Sequence, residues 1–98
     1  KAELINEKSR TLGALQKRID EIEGEIIRLE EKTNQDNKEL FEASIKGDGD
    51  AIKTLSKALH DAKSKIDSLF PELELLHSEL DSRTQEFEEK LNAMEVSL

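Results

Sequence analysis

Ninety-eight residues that are 35% apolar and 39% charged, with three phenylalanines as the only aromatics, have too few large side chains for a thick globular core. The absence of cysteine excludes a disulfide framework and a thiolate metal site, and fits a reducing compartment. A net charge of −8 sets the surface as a whole against nucleic acid and anionic membrane, and no apolar run approaches the ~20 residues of a membrane span. No signal-peptide core is present either, so a cytoplasmic chain with no membrane partner is expected.

A first helix is expected over about residues 2–46, a stretch without proline. Within it Leu12, Leu15, Ile19, Ile22, Ile26 and Leu29 recur at alternating steps of three and four. That is a heptad seam, which keeps one apolar line facing a partner helix. Gly24 sits beside the seam at a cost of ~1 kcal/mol against alanine, which a long helix tolerates. Carried onward, the heptad puts Thr33 at an a position and Asp36 at a d position before it recovers at Leu40 and Ala43. A weakened but continuous helix is expected there, with Asp36 supplying register specificity at some cost in stability. A local opening or hinge at this stretch stays open.

Lys46 followed by Gly47 reads as a helix ending: a cation in the last turn, then a residue free to adopt the left-handed conformation. The turn is expected at 47–49, with Asp48 or Asp50 capping the helix that follows. Asp48-Gly49-Asp50 lacks the third acid, sixth-position glycine and closing glutamate of a calcium loop, and two caps account for it.

A second helix is expected over about residues 50–97, with its seam in Ile52, Leu55, Leu59, Ala62, Ile66, Leu69, Leu73, Leu76 and Leu80. Pro71 removes one backbone donor, but the leucine spacing passes it without a change of phase, which favours a kinked continuous helix over a break. After Leu80 the step changes: Thr84 fills a gap before Phe87, Leu91, Met94 and Leu98, a four-residue stutter that relaxes the supercoil. The expected fold is all-α, an antiparallel two-helix coiled-coil hairpin, second helix kinked at Pro71, occupying 1–98 as one unit. The start at Lys1 and the apolar spacing still running at Leu98 lead us to expect a fragment of a longer protein.

Catalytic chemistry is hard to assemble from these residues. Glu74-Leu75-Leu76-His77 has the Glu-x-x-His spacing of carboxylate-bridged metal sites, but such sites need two of these pairs and two more glutamates. His60 and His77 are expected as separate surface residues. No serine or threonine has a plausible histidine–carboxylate partner, and no glycine-rich phosphate loop is present. The segment is therefore expected to be non-enzymatic, with no cofactor, metal or small-molecule ligand of its own.

Two surface features stand out. Lys46, Lys53 and Lys57 gather near the turn, whereas Pro71 to Leu98 carries eight acids against Arg83 and Lys90. The plain reading is a solvated face; the sharper one is a tip that meets an anionic partner such as RNA. Ile27, Phe41, Ile45, Phe70 and Leu75 lie off the seam. Ile27 and Phe70 fall at the same level of the hairpin, where they either widen its core or form a patch for another chain, making a homo-oligomer.

Leu15-Gln16-Lys17-Arg18-Ile19-Asp20-Glu21-Ile22-Glu23-Gly24-Glu25 resembles the opening of the coiled-coil module in ABC-F ATP-binding cassette proteins, the Uup-like branch especially. Gly47-Asp48-Gly49-Asp50-Ala51-Ile52-Lys53-Thr54-Leu55-Ser56 and Ile66-Asp67-Ser68-Leu69-Phe70 resemble its turn and second arm, so that the likeness spans about residues 12–76. It implies a cytoplasmic ATPase that acts on ribosomes or nucleic acid, with this segment as its accessory arm. The chain departs from the pattern in lacking a second-arm tryptophan, with Leu73 near that place, and in being acidic. Any nucleic-acid contact is thus expected only through the parent protein. The arm of seryl-tRNA synthetases is a second family with a similar hairpin. The expected function is a non-catalytic interaction or spacer arm. The alternatives are a structural coiled coil for self-association or scaffolding, and a helical sensor or tip-type domain.

Overall fold

A computed structural model describes residues 1–96. Two helices make up almost all of it, α1 (Ala2–Lys46) and α2 (Gly49–Val96), packed on one another as an all-α helical hairpin with no strand among the described residues. α1 ends at Lys46 and α2 begins at Gly49, one residue before the expected 50, so the connection is Gly47 and Asp48 alone. The expected helical residue Ser97 and the expected seam residue Leu98 lie outside the described residues. Pro71 is exposed, and α2 runs through it without interruption. The chain packs as two compact units, which are taken in turn: a turn unit, Glu23–Pro71, and an open-end unit, Lys1–Ile22 with the α2 residues from Glu72 onward.

The turn unit is organised by its connection. Gly47 takes φ +70°, the left-handed conformation that an L side chain rarely adopts. Its N–H donates to the Ser44 carbonyl at 3.3 Å and the Asp48 N–H to the Ala43 carbonyl at 3.0 Å, the bond pair of a Schellman ending. Asp48 then opens α2: its carbonyl accepts from the Ile52 N–H at 3.0 Å, and its Oδ1 accepts from the Ala51 N–H at 3.1 Å. One residue therefore closes α1 and caps α2. Behind the turn, Ile26 and Ala43 of α1 and Ala62 and Leu69 of α2 are buried. The two alanines leave a narrower apolar layer than leucines would. Asp36 is buried among the seam positions, and the Lys32 ammonium donates to its Oδ2 at 3.1 Å. Thr33, one turn away, returns its hydroxyl to the Leu29 carbonyl at 2.8 Å, and α1 continues unbroken through both polar seam residues.

The open-end unit holds the tightest packing. Ile19 and Ile22 have no exposed surface, and Phe87 is buried on α2. Phe87, seven residues after Leu80, keeps the heptad phase. The stutter shows instead in Thr84 and Leu91, which are half-buried where Arg83 and Lys90 are exposed, and the Thr84 hydroxyl donates to the Leu80 carbonyl at 2.7 Å. Arg18 Nη2 donates to Glu72 Oε1 across the helices at 2.9 Å, and Lys1 Nζ to Glu95 Oε1 at 3.2 Å. Lys1, just before α1, is thus tied to the last turns of α2 and Arg18 to its middle, which is the antiparallel arrangement. Met94 follows the seam spacing yet stays exposed.

Candidate interaction site

The turn fixes where the first residues of α2 point. Because Asp48 caps the helix, Asp50 falls in the first turn, where its carboxylate complements the positive helix end. Lys53 and Lys57 follow at a four-residue spacing and lie one above the other on the same face. Together with Asp50, Thr54, Ala58 and Asp61 they line a shallow, open groove along α2. Lys46, at the end of α1, does not line it. Of the three lysines expected to form the tip, the structure brings two together on one helix face and leaves the third outside. The groove carries two cations with an acid at each end, so it offers point charges to a single anionic group rather than a continuous basic track.

The apolar candidates are uncovered. Ile27 is 57% exposed and Phe70 46%, so neither is absorbed into the core of the turn unit. Two further apolar side chains are more open still: Phe41 at 68% and Ile45 at 72%. Phe41 lies two heptads after Ile27, and Ile45 one turn beyond that, so the three occupy one stripe of α1 away from the seam. Position along the hairpin pairs Ile27 with Phe70; helical phase groups it with Phe41.

Two ion pairs were hidden in the sequence pattern. Lys32 looks like a like-charge repeat of Arg28, yet it turns four residues onward to Asp36, whose side chain is only 8% exposed. Arg18 bridges Glu72 and Glu21, and its guanidinium is held charged more firmly than usual. The hydrogen bond and charge of Glu72 are the chief cause; desolvation opposes them, and the hydrogen bond and charge of Glu21 each add less.

Elsewhere, Ser78, Asp81, Ser82, Thr84 and Gln85 line an open polar groove on α2 of the open-end unit. The Lys90 ammonium stands 5.8 Å from the centre of the Phe87 ring, a cation–π contact. Among the described residues no group of three or more His, Cys, Asp and Glu side chains is gathered to hold a metal ion, and every buried side-chain polar atom is hydrogen-bonded. Among the described residues no helix is long and apolar enough to cross a membrane. No family model, curated protein or solved structure matches the chain.

Proposed function

We propose that this chain is a non-catalytic interaction arm that meets its partner through the turn unit. The observation that carries the reading is the pairing of Lys53 and Lys57 in one groove directly behind a turn locked by Gly47 and Asp48. A turn held by four hydrogen bonds presents its neighbouring side chains in one orientation, which lowers the ordering cost of docking. The resemblance to the ABC-F coiled-coil module supplies the setting: an accessory arm of a cytoplasmic ATP-binding cassette protein acting on ribosomes or nucleic acid. In that setting the two lysines contact phosphate.

The test uses the full-length protein that carries the arm. Lys53→Glu/Lys57→Glu should weaken ribosome or nucleic-acid association, and the wild-type interaction should itself fall steeply with salt, since each phosphate contact releases counterions. Lys46→Glu, outside the groove, should matter less. Equal association of wild type and double variant at low and at moderate salt would leave the arm as a spacer. A second reading, self-association, is favoured by one observation, the uncovered stripe of Ile27, Phe41 and Ile45 on α1.

A further inference from the structure

The residues of that stripe are arranged symmetrically about Asn34. Ile27 stands seven residues before it and Phe41 seven after, which is one heptad on either side. At about 100° per residue all three lie within a narrow strip of α1, and all three are exposed. Glu31 and Lys38 lie between them on a common flank of the strip, three residues before Asn34 and four after. Both are exposed, and neither makes an ion pair or side-chain hydrogen bond within the chain among the described residues.

We propose that this strip is the contact surface for a second copy of the chain, with α1 laid antiparallel on the partner's α1 about a two-fold axis at Asn34; the inference rests on the self-association reading. An isologous contact requires one surface to complement itself under a half-turn. With Asn34 against the partner's Asn34, Ile27 meets the partner's Phe41 and Phe41 meets the partner's Ile27. The same rotation brings Glu31 beside the partner's Lys38, and Lys38 beside the partner's Glu31, on matching flanks. Two apolar pairs and two opposite-charge pairs thus follow from one alignment. Ile45, one turn past Phe41, extends the apolar strip at each end. In a parallel two-fold alignment in register the flank carrying Glu31 and Lys38 falls on the opposite side of the contact from the partner's, so neither charge pair forms. The paired asparagines at the centre fix the register, as a lone polar residue does in a helical seam.

Sedimentation equilibrium of the chain should show a reversible monomer–dimer equilibrium. Phe41→Glu should raise the dimer dissociation constant about tenfold or more, with helicity by circular dichroism unchanged because the residue is exposed. Glu31→Lys should also weaken the dimer, and Glu31→Lys/Lys38→Glu should restore it. Since the chain has no cysteine, oxidation of Asn34→Cys should give a disulfide-linked dimer, and Asn92→Cys should not. A dimer indifferent to Phe41→Glu, or not rescued by the charge exchange, keeps self-association and overturns this surface. A wild-type chain that stays monomeric up to about millimolar concentration, the weak end of specific affinity, overturns both.

Discussion

Arg18 on α1 holds two glutamates at once, Glu72 of α2 at 2.9 Å and its own neighbour Glu21 at 3.5 Å. The shorter bond crosses the helices and dominates the upward shift of the arginine pKa. Glu72→Gln should therefore destabilise the hairpin more than Glu21→Gln. All three groups are about half exposed, so both effects should be small and should fade at about 1 M salt, where screening acts within ~3 Å. Because the shift is upward, the arginine's contribution is complete below its ordinary range and lost only as pH rises above it. The stability difference between wild type and Arg18→Gln should stay flat from about pH 7 to about pH 10. Denaturant titrations at several pH values check this.

Ile19 and Ile22, with no exposed surface, should be the least replaceable side chains. Ile19→Ala or Ile22→Ala should cost about 2–5 kcal/mol, the transfer term plus the cavity left behind. Ile27→Ala should change the monomer by no more than about 0.5 kcal/mol, since that side chain is largely in solvent. Urea unfolding of the three variants at low protein concentration ranks them.

Asp36 is a charge on the seam with a single cation beside it, and that cation is 60% exposed. Removing one member of a buried pair is harmful when the other charge stays buried, but Lys32 remains in solvent, so Asp36→Leu removes the desolvation cost of a seam carboxylate and should raise stability by about 1 kcal/mol or more. Lys32→Met should do the opposite, because the carboxylate stays buried after its partner has gone. Opposite signs in thermal melts are the expected result; equal losses would mean that Asp36 contributes more through Lys32 than its burial costs.

Gly47 and Asp48 make separable contributions to the turn. A Cβ on Gly47 would meet nothing within 4 Å, so Gly47→Ala should lose only the conformational term, about 1–2 kcal/mol for a left-handed alanine. Asp48→Ala removes the cap on the Ala51 N–H and should cost about 0.5–2 kcal/mol. Gly47→Asn, which tolerates the same backbone, should cost less than alanine. Calorimetry on the three variants separates backbone strain from lost capping.

Much of this architecture is legible in the residues, because heptad leucines and isoleucines leave one arrangement that hides them. Ile19, Ile22 and Ile26 on α1 and Leu69 and Phe87 on α2 are buried as the spacing requires. The stutter at Thr84 could be read from the step change alone, since Leu91 reaches the seam only if the phase shifts after Leu80. Side-chain direction was less accessible. Nothing in the order of residues tells Arg18 to choose Glu72, because that choice depends on the axial stagger of two helices. Lys46 is adjacent in sequence to the turn but separate from the groove, since the left-handed Gly47 intervenes and the chain reverses. Ile27 and Phe70 share a level along the hairpin, but level alone does not say which face a side chain occupies; the 3.6-residue phase does, and it groups Ile27 with Phe41.

The two-residue turn also orders events in time. From Asp48 outward, each step along the arms lengthens the stretch of chain that must close before two side chains can meet. Arg18 and Glu72 are 54 residues apart, and Lys1 and Glu95 are 94 apart. Loop-closure entropy rises with that separation, so contacts next to Gly47 form at the smallest entropic cost and the distal ones follow as in a closing zip. Substitutions at Gly47 or Asp48 should then slow the approach to the folded state, while those at Phe87 should mainly quicken its loss.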